Sequence, residues 1–154
     1  MDHPEINRIV EIGFGDFNVT GEIRLKKNKT YIGYDVVDSI NRLDNKNEFF
    51  KIIHSIEDLE FVEGDLLITK DVIMHWPLAK VHYFFEKIVP NFKYSFVVND
   101  HTENETILDI NYGQWRPLNI RLYTDLPREE VYARSISFYV KRGYIFPNRP
   151  CAKL

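Results

Sequence analysis

The sequence predicts an α/β fold: a mostly parallel sheet covered by helices on both faces, with an antiparallel strand at its C-terminal end. Two observations predict it. Compact apolar runs recur through the first hundred residues, each ending in glycine or polar residues, and the stretches between them carry apolar residues at helical spacing. The 154 residues, 44% of them hydrophobic, are also enough to bury roughly two-thirds of the unfolded surface in one core.

Asn7 to Ile12 (NRIVEI) reads as strand one, stopping at Gly13-Phe14-Gly15. Asp16 to Leu25 half fits a helix, with Phe17, Val19, Ile23 and Leu25 interrupted by Asn18, Thr20 and Gly21, so a short weak helix is expected. Lys29 to Tyr34 (KTYIGY) is β-rich and runs into Asp35, after which Val36, Val37, Ile40 and Leu43 recur as in a helix. Glu48 to Ile53 and Asp65 to Thr69 are strands three and four, flanking an acidic connector from Glu57 to Glu63. Pro77 suits the first turn of a helix, where its missing N–H costs nothing, and Val81, Phe84, Phe85 and Ile88 give that helix an apolar stripe. Tyr94 to Val98 is strand five, ending at Asn99-Asp100. From His101 to Arg128 the pattern lapses into polar and turn residues, and the expectation is an irregular segment, residues 101 to 134, over the site. Ser135 to Val140 and Tyr144 to Phe146, separated by Lys141-Arg142-Gly143, read as an antiparallel hairpin or as a helix end followed by a strand.

No internal repeat or linker divides the chain, so one domain over residues 1 to 154 is expected. Twenty Lys and Arg against 23 Asp and Glu leave a charge of −3, which disfavours nucleic acid and gives no pull toward an anionic membrane. No run approaches the roughly 20 apolar residues of a spanning helix. Cys151 is the one cysteine, and MDHPEIN has no basic region followed by an apolar run, so a reducing cytoplasm is the expected compartment. His3, His54, His75, His82 and His101 show no metal-ligand spacing, and no metal is assigned.

The chemistry gathers at strand ends. Glu11-Ile12-Gly13-Phe14-Gly15-Asp16 closes strand one, and Asp35 closes strand two 20 residues beyond Gly15. This is the spacing of an adenosine-ribose site in a doubly wound, Rossmann-like fold. Glycines let the backbone approach a ligand, and an acid at the second strand's carboxyl end can accept from both ribose hydroxyls. The third glycine of a dinucleotide fingerprint would fall at Asn18, which argues against a nicotinamide cofactor, and no Gly-Lys-Ser/Thr follows as in a phosphate loop. The competing reading makes Gly13 and Gly15 a plain tight turn and Asp35 a helix cap.

The E-x-G-x-G turn, the acid of YIGYD, the segment DLLITKDVIMHWP and the strand YSFVVND together resemble a class I S-adenosylmethionine-dependent methyltransferase, over about residues 7 to 100. Within that superfamily the chain is similar to small bacterial-type domains reading G-x-G-D-W, K-D-V-L-Q-H-W-P and G-x-W-R-P-L-N, which stand here as GFGDF, KDVIMHWP and GQWRPLN. The resemblance implies a three-layer fold, S-adenosylmethionine as cofactor and methyl transfer to an unidentified acceptor. It implies that Gly13, Gly15 and Asp16 face the methionine part, Glu11 orients the turn, Asp35 takes the ribose, Ser55 and Ile56 lie near the adenine, and Lys70 lies beside the cofactor. Ser55-Ile56 stand where the family often has an acid.

In Lys70-Asp71-Val72-Ile73-Met74-His75-Trp76-Pro77, polar and aromatic side chains collect where strand four meets a helix. Displacement at a sulfonium needs an aligned nucleophile and a proton acceptor, and Asp71 and His75 are the catalytic candidates. Their competing readings are a turn acid and a packed or capping histidine. Trp76, Asn99, Asp100, Trp115 and Arg116 are the candidate acceptor wall, Arg116 as a clamp for an anionic or planar group or as a guanidinium pinning a loop. The family often has a helix before strand one that covers the cofactor; here strand one begins by residue 8, so a homo-oligomer or partner subunit closing the site is one expectation. The alternative function is a non-catalytic module of the same fold that binds the cofactor or a partner.

Overall fold

β1 (Arg8–Ile12) lies inside a seven-stranded sheet and is flanked on one side by β2 (Thr30–Asp35) and β3 (Phe50–Ile52). On its other side come β4 (Gly64–Lys70), β5 (Phe92–His101), β7 (Tyr139–Pro147) and the edge strand β6 (Glu129–Ile136). The computed structural model describes residues 4–15, 27–36, 50–103, 108–136 and 139–147. The weak helix expected after Gly15, most of the helix expected after Asp35, Asp16 and Cys151 lie outside the described residues.

β1 to β5 pair in parallel, whereas β7 runs antiparallel to β5 and β6, which is the predicted class with the predicted C-terminal reversal. Strand order turns back between β1 and β4, so the chain leaves these two strands in opposite directions and opens a crevice at their carboxyl ends. Alternation along the strands puts Val10, Ile12, Leu67, Val97, Tyr144 and Phe146 in one buried cluster. Val81, Phe84, Phe85 and Ile88, the predicted helical stripe, are all buried in it. Each such side chain stabilises by about 1.5–3 kcal/mol through the apolar surface it removes from water.

Four sequence expectations change. Pro77 is the N-cap of α1 (Leu78–Tyr83) rather than its first turn, and the helix widens to π over Phe84–Ile88 before a 3₁₀ turn over Val89–Asn91. Pro90 has no N–H to return to the preceding turn, so regular α geometry cannot continue through it. β5 runs on to His101 instead of stopping at Val98, because β7 supplies backbone partners as far as the His101–Val140 pair. Asn99, Asp100 and His101 are therefore buried strand residues. The C-terminal segment is a hairpin, but Lys141-Arg142-Gly143 lies inside β7, opposite Val98 to Asp100, and the irregular segment ends at Arg128 where β6 begins. The acidic connector holds a 3₁₀ turn, Ile56–Leu59.

Asp65, at the start of β4, ties three strands together. Its Oδ2 accepts from Asn7 N at 2.8 Å and Arg8 N at 2.9 Å, and its Oδ1 pairs with Lys93 Nζ at the start of β5. Burial opposes ionisation, yet the Lys93 bond and the two backbone donors outweigh it and bring the pKa down to about 2. A depressed carboxylate stabilises above its unfolded pKa and loses that contribution as pH falls toward the folded value. Asp65→Asn is expected to cost about 1–2 kcal/mol at neutral pH. In urea unfolding followed across pH, the difference from wild type should narrow as pH falls below the unfolded carboxylate value and close only below the folded value of about 2.

Candidate functional site

A cleft of about 400 Å³ opens at the carboxyl ends of β1 to β4, within the size range of ligand pockets. Its floor is the turn after β1. Gly13 takes φ +77° and Gly15 φ +64°, a region that side chains with a Cβ avoid. A Cβ on Gly13 would stand 2.1 Å from Val72 Cγ2, so the absent side chain is what lets the turn close against the loop after β4. Among the described residues nothing stands within 4 Å of where a Cβ on Gly15 would be.

Asp35, the last residue of β2, is buried and lines the cleft. Its Oδ2 accepts from Gly15 N at 2.9 Å and its carbonyl accepts from Ile53 N, so one residue holds the glycine turn and the end of β3. Ser55 and Ile56 line the cleft beyond β3, and Trp76 lines it beyond β4. Gly13, Asp35, Ser55, Ile56 and Trp76 thus line one cleft.

Other candidates sit elsewhere. Glu11 is buried and accepts from the Tyr31 hydroxyl. Lys70 Nζ is paired with Asp71 Oδ2 at 2.7 Å, and Asp71 adopts φ +59°, the one positive value among described non-glycine residues. For a non-glycine residue that conformation costs of order 1 kcal/mol, least for Asp and Asn, and strain of this kind gathers at functional sites. His75 Nδ1 lies 2.9 Å from the carbonyl oxygen of Gln114. A carbonyl only accepts, so Nδ1 carries the proton and Nε2 of the neutral ring holds the lone pair.

The irregular segment is pinned across the ends of β4 and β5. Gly113 N donates to His75 O, Arg116 N to Met74 O and Leu118 N to Asp100 O. Asp109 Oδ1 accepts from Leu78 N at 2.8 Å, capping α1 from 31 residues away. Trp115 Nε1 donates to Asp100 Oδ2 at 3.0 Å, and the indole is 48% exposed. Arg116 corrects the acceptor-wall expectation: it is buried and absent from the cleft lining, facing Asp109 and Tyr123. Burial pushes its guanidinium pKa below the ordinary value, opposed by those two groups. Asn99 and Asp100 likewise do not line the cleft.

Val72, Lys80 and Tyr112 line the cleft and were not anticipated. Lys80 follows Pro77 by three residues, and side chains in a first helical turn lean back toward the N-terminus, a signal that was legible. It pairs with Glu57, which also accepts from Ser55 Oγ. Lys80 and Ser55 lower the Glu57 pKa, and Glu57 raises that of Lys80. Tyr112 reaches the cleft through the pinning of the segment that carries it, for which no local signal exists. Among the described residues no group of three or more His, Cys, Asp or Glu could hold a metal ion, and no helix is long and apolar enough to cross a membrane.

No family model matches the chain, and no curated protein matches it in sequence. Solved structures do. The N-terminal domain of EvdMO1, crystallised in the presence of SAH and D-fucose, superposes with a TM-score of 0.65 at 12% identity, covering 95% of this chain and 78% of that one. WbdD, a bifunctional kinase-methyltransferase, gives 0.68 at 16% identity over 92% of this chain and 35% of that one. TehB from Haemophilus influenzae gives 0.63 at 10% identity over 94% and 58%. The chain has the class I S-adenosylmethionine-dependent methyltransferase fold.

The turn after β1 makes a two-part prediction. Gly13→Ala is expected to destabilise by about 2–4 kcal/mol, combining left-handed strain with the Val72 clash. Gly13→Ala/Val72→Ala should recover the steric share and retain about 1–2 kcal/mol of backbone cost. Chemical denaturation of both variants and of Val72→Ala alone separates the two.

Proposed function

We propose that the chain binds S-adenosylmethionine in this cleft and transfers its methyl group to an acceptor. The observation that carries the reading is the meeting of the positive-φ glycine turn and the Asp35 carboxylate on the floor of one cleft at the strand-order reversal. The fold likeness supports it, since the N-terminal domain of EvdMO1 was also solved with SAH bound.

The residues fit such a ligand. Asp35 supplies a buried acceptor for ribose hydroxyls, whose O–H groups match a carboxylate fixed in place by Gly15 N. Ser55 and Ile56 would flank the adenine, with Trp76 and Tyr112 as aromatic walls. The Glu57–Lys80 pair bounds that end as a mutually neutralised group. When bound, the cofactor supplies a methyl carbon activated by a positively charged sulfur. The chain's own task is then alignment and removal of a proton, and Nε2 of His75 is the lone pair we assign to it. Lys70 and Asp71 hold the end of β4 beside it.

Isothermal titration with S-adenosylmethionine and SAH should give saturable binding, and NAD should give none. Asp35→Ala is expected to weaken that binding by about 1–3 kcal/mol with the fold intact. Absence of binding to the sulfonium pair by the folded wild type would remove the proposal. With an acceptor in hand, His75→Gln should lower kcat by about 10²–10⁴ while leaving SAH affinity unchanged. An unchanged kcat would remove His75 from the chemistry.

A further inference from the structure

Which polar side chains reach the cleft decides what can read the base of its ligand. The two acids that follow Ser55-Ile56 do not line it. Asp58 Oδ2 accepts from His54 N at 2.9 Å and Ser55 N at 3.2 Å, which folds that carboxylate back on its own turn. Glu57 is taken by two donors, Ser55 Oγ on one carboxylate oxygen and Lys80 Nζ on the other. Beyond Asp35, the polar side chains along the wall are those of His54, Ser55, Lys80, Tyr112 and Trp76.

The shared carboxylate fixes where the Lys80 ammonium sits. Donors on the two oxygens of one carboxylate are neighbours, so the ammonium stands beside the Ser55 hydroxyl, in the part of the cleft formed after β3. Tyr112, carried by the irregular segment, faces the same ammonium. Burial raises the Tyr112 pKa, and Lys80 opposes the rise. An ammonium has three N–H donors on a tetrahedral nitrogen, so one bond to Glu57 leaves the others directed elsewhere.

Charge decides what those donors suit. S-adenosylmethionine carries a positive sulfur, which an uncompensated lysine in the same cleft would oppose. Glu57 cancels the charge of Lys80 without using up its N–H groups, so the side chain serves as a donor to a neutral acceptor rather than as a clamp for an anion. The edge of an adenine offers such acceptors in its ring nitrogens, whose lone pairs lie in the plane of the base. The ribose hydroxyls are donors, and Asp35 already supplies their acceptor.

We infer that Lys80 is the residue that reads the base: its ammonium, steered by Glu57 and Tyr112, donates a hydrogen bond to one ring nitrogen of the adenine that Ser55 and Ile56 flank. Because the first turn of α1 carries Lys80 and the irregular segment carries Tyr112, recognition of the base is shared by two elements that lie after β4 in the chain. The inference deepens the proposed function and rests on it for the identity of the ligand.

Isothermal titration of the full chain with SAH and its 1-deaza, 3-deaza and 7-deaza analogues tests it, in wild type, Lys80→Met and Lys80→Arg. In wild type one deaza analogue is expected to bind about tenfold more weakly than SAH. Lys80→Met should bind SAH about tenfold more weakly than wild type does, and should hold that analogue and SAH alike. Lys80→Arg keeps donors and should regain part of the SAH affinity. Glu57→Gln/Lys80→Met repeats the comparison without leaving a carboxylate unpaired, with thermal unfolding to check the fold of each variant. A merely structural role for Lys80 would weaken SAH and every analogue equally and leave the deaza penalty in place. The inference is overturned if no deaza analogue is weaker than SAH in wild type, or if Lys80→Met binds SAH as wild type does. It is also overturned if the penalty persists in Lys80→Met, as a donor on His54 or the backbone would make it. These results, with SAH bound by wild type, leave the proposed function standing; a folded wild type that binds no SAH removes both.

Discussion

The approach of the Gly13 backbone to Val72 is the contact on which the site depends. It joins the turn after β1 to the loop after β4, the two strands between which the sheet's order reverses, and it exists only because residue 13 has no Cβ. Asp35 completes the arrangement from β2 by taking the Gly15 N–H. Three strand ends are thereby held together around one cleft. Rigid elements position a site more tightly than loops do, and this floor is made almost wholly of strand ends.

The wall of the site is built differently. Residues 108 to 119 contain no strand or helix, yet their backbone is bonded to the segment after β4 and to β5, and Asp109 caps α1. A segment without regular structure has to satisfy its backbone polar groups elsewhere, and here those partners also bring Tyr112 to the cleft. The same bonds explain Arg116. Its backbone N–H is used to dock the segment on Met74, which leaves its side chain under the segment rather than in the cleft.

Charge around the cleft is balanced locally rather than left as a field. Glu57 and Lys80 hold each other ionised, Lys70 is matched by its neighbour Asp71, and Arg142 bridges Glu103 after β5 to Glu130 on β6. Neutralised groups of this kind define the shape and polarity of a site without drawing in charged ligands from a distance.

The alternating apolar runs, the glycine turn and the acid at the end of strand two were enough to determine the α/β class, the parallel core and the cleft floor from sequence. Each rests on local chemistry: a period in hydrophobicity, a φ that only glycine takes easily, a side chain at a strand's last residue. The extension of β5 through His101, the hairpin that places Arg142 inside β7, and the burial of Arg116 were decided by tertiary structure. In each case the deciding partner lies far along the chain, as with Val140 for His101 and Met74 for Arg116, so no local pattern encodes it. Tyr112 makes the point most plainly, since an exposed tyrosine in an irregular segment becomes a cleft residue only when distant backbone groups pin that segment in place.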